Sequence, residues 1–111
     1  MRAAKVIMHA KLAGILSEDE TGYSFSYDPA YLADKNAADI SLTLHKTQPT
    51  YKSTTMFSFF DGLIPEGWLL RIAEKNWKLN ERDRMGLLLA CCKDCIGAVS
   101  IEPFNPAQNE Q

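Results

Sequence analysis

The chain has 111 residues, a formal net charge of −2, 46% hydrophobic and 23% charged residues, the make-up of one ordinary globular domain with a single modest core. No basic excess is present to engage phosphate backbones, which argues against direct nucleic-acid binding. Lys5, His9 and Lys11 interrupt any apolar run of the kind a secretory signal needs, and the longest apolar stretch, Met85–Cys92, is about half the roughly 20 residues of a membrane-spanning helix. A cytoplasmic protein without membrane contact is expected.

Val6–Leu16 is rich in apolar residues and reads as one strand with an interruption, a bulge at Gly14. Ser17–Gly22 is a polar, glycine-ended turn. Tyr23-Ser-Phe-Ser-Tyr-Asp28 alternates aromatic and polar residues, the pattern of a half-buried strand, and completes a β-hairpin. Asp28 is placed to cap a short helical turn with Pro29 in its first position. Ile40–His45 alternates again and predicts a third strand with Ile40, Leu42 and Leu44 facing the core. Lys46–Thr55 predicts loop.

Phe57–Leu70 concentrates three Phe, Trp68 and four Leu or Ile around two glycines and a proline. It reads as a short helix over Phe57–Gly62, a break at Leu63–Ile64 and a new helix from Pro65, whose missing N–H is tolerated in a first turn. Glu66 suits the positive end of that helix. Leu69, Ile72 and Ala73 share one face, with Trp68 at its margin. Asn80 predicts an N-cap with Asp83 three residues on in a capping-box position. Met85, Leu88 and Leu89 form the buried face of the following helix. Ile96–Ile101 predicts a last strand stopped by Glu102–Pro106, and residues 106–111 a frayed tail. Strands followed by helices argue for an α+β domain: a small, largely antiparallel sheet with two to three helices packed on one face.

Little here looks catalytic. There is no phosphate-binding glycine loop, no GxSxG elbow and no HExxH. Cys91, Cys92 and Cys95 form an odd, clustered set, a poor disulfide framework, and Cys92-Lys-Asp-Cys95 lacks two further ligands at zinc spacing. Reduced, structural thiols are expected, with a redox or metal role as the alternative. No enzyme, no cofactor and no metal are expected. Recognition remains: Trp68 serves either this core or a partner's, since the Leu69/Ile72/Ala73 face can supply the core without it.

Phe59-Phe-Asp-Gly-Leu-Ile-Pro-Glu-Gly67, Arg71, Gly86-Leu-Leu-Leu89, Asp94-Cys-Ile-Gly-Ala-Val99 and Pro103, in this order and spacing, resemble the N-terminal subdomain of the HipA-like serine/threonine kinases. Gly14, Phe25-Ser-Tyr-Asp28, Tyr31-Leu32 and Ile40–Leu44 extend the likeness over about residues 4 to 103. Two departures stand out: Cys92 or Lys93 replaces a glycine of the family pattern, and Trp68 occupies a position that the pattern does not fix. The kinase core has no counterpart in these residues, so no catalytic residue carries over. A separate copy of this subdomain is similar to the HipS-like antitoxins of three-component HipBST modules. That resemblance implies docking in trans onto a shortened HipA-like (HipT-type) kinase toxin and neutralising it. A helix-turn-helix HipB-type protein would complete the complex, so that DNA is met only indirectly. The residues expected at the kinase are Ile64, Pro65, Glu66, Gly67, Trp68 and Arg71, with Trp68 entering the cleft. The alternative is a structural subunit that stabilises or assembles the complex of kinase and DNA-binding protein without inhibiting the kinase.

Overall fold

The structure, a computed structural model, describes residues 2–64, 82–91 and 99–104. Five strands and three helices lie within them: β1 (Arg2–Met8), β2 (Lys11–Asp19), β3 (Gly22–Tyr27), α1 (Pro29–Ala33), β4 (Thr50–Ser53), α2 (Ser58–Asp61), α3 (Arg84–Cys91) and β5 (Val99–Phe104). The strands form one sheet in the order β4-β3-β2-β1-β5, every pairing antiparallel. This is the α+β architecture expected.

Alternation along each strand divides the sheet into two faces. Ala4, Val6 and Met8 of β1 stand beside Leu16 of β2, Phe25 and Tyr27 of β3, and Val99 and Ile101 of β5 on one face. Tyr31 of α1, Phe60 of α2 and Met85, Leu87 and Leu88 of α3 close over that face in a single cluster. Phe25 sits at its centre, edge-on to Tyr27 with ring centroids 4.9 Å apart and tilted against Phe60 at 5.5 Å. Its ring lies where Gly14 has no side chain: a Cβ there would stand 2.8 Å from Phe25 Cζ and 2.3 Å from the Ser26 carbonyl. The opposite face carries Lys5, Ile7, Ile15, Ser24 and Ser26, all half-exposed.

Sequence expectations change at several places. The single strand over Val6–Leu16 is two strands joined at His9-Ala10, both with positive φ (49° and 67°). A two-residue turn of this kind usually carries Asn or Gly, so the sequence offered no turn signal. The irregularity expected at Gly14 falls beside it: Val6 pairs with Gly14 and Ile7 with Leu12, leaving Ala13 as the extra residue. Ile40–His45 is no strand but a tight turn closed by a Ser41–Leu44 bridge, in which Ile40 and Leu44 are buried and Leu42 is 89% exposed. A short edge strand, β4, instead occupies part of the expected loop, with Tyr51 opposite Phe25.

The remaining boundaries follow local chemistry. Asp28 caps α1, its carboxylate accepting the Ala30 N–H at 3.1 Å with Pro29 in the first turn. Asp83 acts as the cap of α3 itself and not as the third residue of a box: the helix begins at Arg84, and Asp83 Oδ1 accepts the Gly86 N–H at 3.1 Å. Asn80, the expected cap, lies outside the described residues. β5 runs on through Pro103 to Phe104, beyond the expected stop, because an edge strand tolerates a residue without an N–H. In α3, Met85 and Leu88 are fully buried as expected, Leu87 joins them, and Leu89 is only partly buried.

Candidate partner-binding site

Of the residues expected to meet a partner, Ile64 is described; Pro65, Glu66, Gly67, Trp68 and Arg71 lie outside the described residues. The short helix over Phe57–Gly62 and the break after it are present. Phe60 is fully buried, and Phe57, Phe59, Leu63 and Ile64 pack partly buried against the same cluster. Ile64 therefore leaves the core at its edge, with its side chain divided between this domain and the surface.

The two places where the chain departs into residues 65–81 and returns from them are tied to each other. Asp61, the last residue of α2, and Arg84, the first of α3, form an ion pair with Nε 2.5 Å from Oδ1. Next to it, Arg2 of β1 grips Asp83 in a two-pronged contact, Nη1 to Oδ2 at 2.9 Å and Nη2 to Oδ1 at 2.7 Å. The same guanidinium donates from Nε to Glu18 Oε1 on β2 at 2.7 Å. Such forked, charge-assisted contacts combine strength with a fixed geometry. The hydrogen bonds from Arg2 hold the Asp83 carboxyl below the usual carboxylate range, and the two acids in turn strengthen the proton affinity of the guanidinium. The stem of the candidate segment is thus fixed to strands β1 and β2. Nothing in the sequence signalled this device, because the paired residues stand 23 and 81 positions apart and leave no local pattern.

A second construction was also missed. The Tyr27 hydroxyl, buried, donates to the Leu44 carbonyl and accepts the Ile40 N–H at 3.1 Å, fixing both feet of the 40–44 turn. Burial pushes its pKa up to about 12. Asp39 closes the turn from outside, accepting the Lys46 N–H at 2.8 Å and contacting His45 Nδ1 at 2.9 Å. The Lys46 ammonium donates to the carbonyls of Asp34 and Ala37 and lies 5.4 Å from the centre of the Tyr31 ring.

Among the described residues no group of three or more His, Cys, Asp or Glu is arranged to hold a metal, and no helix is long and apolar enough to cross a membrane. Cys92 and Cys95 lie outside the described residues.

Comparison with known proteins agrees with this architecture. The family model described as HipA N-terminal domain matches residues 4–102. A protein of Haemophilus influenzae described only as uncharacterised is 33% identical over 102 residues, which cover 92% of this chain and 92% of that one. A solved structure described as the N-terminal domain of HipA toxin superposes with a TM-score of 0.73 at 28% identity, covering 96% of this chain and 95% of the other. The chain belongs to the HipA N-terminal domain family.

Proposed function

We propose that this protein is the antitoxin of a HipA-type serine/threonine kinase: it binds in trans a shortened kinase that lacks this domain, and suppresses it. The observation that supports the reading is that the HipA N-terminal domain model matches residues 4–102 and that the Haemophilus relative aligns with this chain over 92% of its own length. A domain of this kind retains the surface that would meet a kinase core in a fused protein, and offers it to a separate chain. The contact is assigned to Ile64–Arg71, with Trp68 inserted into the kinase cleft and Glu66 and Arg71 as polar rim. Tryptophan is the residue type most able to carry binding energy through one buried side chain. The Asp61–Arg84 pair, by fixing the stem of that segment, lowers the ordering cost of presenting it. A helix-turn-helix protein of HipB type completes the complex and supplies the DNA contact that a chain of charge −2 does not.

The test is the activity of the purified HipA-type kinase with and without this chain, and with Trp68→Ala. Inhibition that saturates at a fixed stoichiometry, weakened about tenfold or more by Trp68→Ala, is the expected result. A complex that forms while kinase activity stays unchanged assigns the chain to a structural role and ends the antitoxin reading. Undiminished inhibition by Trp68→Ala removes Trp68 from the mechanism and leaves the antitoxin role in place.

A further inference from the structure

Leu42 is 89% exposed, although its neighbours two positions away on either side, Ile40 and Leu44, are buried in the core. Only Leu12, at 37%, joins it as an exposed large apolar side chain among the described residues. Single exposed leucines are common on protein surfaces; this one stands on a turn held by several hydrogen bonds. Ser41 and Leu44 close the turn beneath it, the Leu44 N–H donating to the Ser41 carbonyl at 3.2 Å. The Ser41 hydroxyl accepts the Thr43 N–H at 3.2 Å. The Tyr27 hydroxyl holds both feet from below, and the Tyr51 hydroxyl donates to the His45 carbonyl at 2.9 Å. The result is an apolar side chain on a braced turn whose neighbouring residues Asp39, Ser41, Thr43 and His45 are polar. An apolar anchor with a polar surround, fixed before binding, is the form an interface hot spot takes.

We propose that Leu42 is a second docking anchor, seated in an apolar pocket on the surface of the kinase core. This rests on the kinase reading above, and two observations choose that occupant. Ile40 and Leu44, which root the turn, belong to one core cluster with Phe60, against which Ile64 packs. The turn and the Ile64 end of the kinase-binding segment therefore rise from the same layer, on the same face of the sheet. The Ile64–Arg71 segment is also far smaller than the roughly 20–30 residues a side that a stable complex engages, so a partner bound there meets further surface of this domain.

The experiment measures the affinity of the full chain for its purified HipA-type kinase by titration calorimetry, for the parent, Leu42→Ala, Leu42→Asp and Leu12→Asp. Denaturant unfolding of each chain is measured alongside. The expected result is a loss of about tenfold or more for Leu42→Asp, a smaller loss for Leu42→Ala, an affinity within about twofold for Leu12→Asp, and unchanged unfolding midpoints for both Leu42 variants. Parent affinity retained by Leu42→Asp overturns the proposal while leaving the kinase reading intact, and an equal loss from Leu12→Asp overturns it by making the effect one of charge alone. A parent chain that does not bind the kinase refutes the partner assignment and the anchor with it. Self-association of the parent that Leu42→Asp abolishes, with kinase affinity unaltered, names a second copy of this chain as the occupant and overturns the proposal.

Discussion

Tyr27 shows how much of this structure depends on one polar atom. Its ring belongs to the core beside Phe25 and stacks over Tyr31 at 5.9 Å, while its hydroxyl satisfies a buried N–H and a carbonyl of the 40–44 turn. Tyr27→Phe keeps the ring and removes both bonds. The expected loss is about 1–3 kcal/mol in urea unfolding, the usual cost of leaving buried groups unpaired. The raised pKa carries a matching alkaline signature. The folded value of about 12 exceeds the ordinary 10, so the stability that neutral Tyr27 contributes is complete below pH 10 and is lost as pH rises from there towards 12. The parent should converge on Tyr27→Phe over that interval. The alternation Ile-Ser-Leu-Thr-Leu concealed this role. It is a strand pattern by any local rule, and only the distant tyrosine turns it into a braced loop with its middle leucine outside.

At the scale of elements, Asp83 performs two tasks, capping α3 and pairing with Arg2 of β1. Asp83→Asn separates them, since asparagine caps a helix as well as aspartate does. The expected loss is about 1 kcal/mol, kept modest because both partners are partly exposed, at 41% and 32% of their side chains, and solvent screens the pair. The Asp83 pKa is lowered on folding, so its contribution is present above the ordinary carboxylate value of 3.8 and is lost as pH falls below it. The stability difference between parent and Asp83→Asn should close in acid, which denaturant unfolding across that range would show. The sequence announced a helix start near Asp83 but placed the cap at Asn80, whereas Asp83 caps α3 and is held at the same time by the arginine at position 2. Elements announced by strictly local chemistry, such as the Asp28-Pro29 start of α1 and the Tyr23–Tyr27 alternation, appear where they were expected.

At the scale of the molecule, the described residues form a sheet with one face covered by helices and turns. Its central strands, β1, β2 and β3, are hydrogen-bonded on both sides, whereas β4 and β5 lie at the edges. Amide hydrogen exchange should therefore be slowest in β2, which is flanked on both sides by long strands, and fastest among the strands in the four-residue β4. Uniform protection across all five strands would contradict this ordering. The covered face also explains the division of labour in the proposed complex. The core layer that stabilises the domain supplies the roots of both the 40–44 turn and the segment after Ile64.

By itself the sequence determined the class of fold, the β2–β3 hairpin, the Asp28 cap of α1 and the likeness to the HipA N-terminal domain. These rest on alternation, on turn and capping chemistry, and on residues close together in the chain. The tertiary structure alone decided where β1 ends, because His9-Ala10 turns without a turn-forming residue. It also decided that Leu42 faces outward, and that Asp61 with Arg84 and Asp83 with Arg2 fix the stem of the candidate binding segment. The last two outcomes are set by partners far away in sequence, and local periodicity carries no information about which distant side chain arrives.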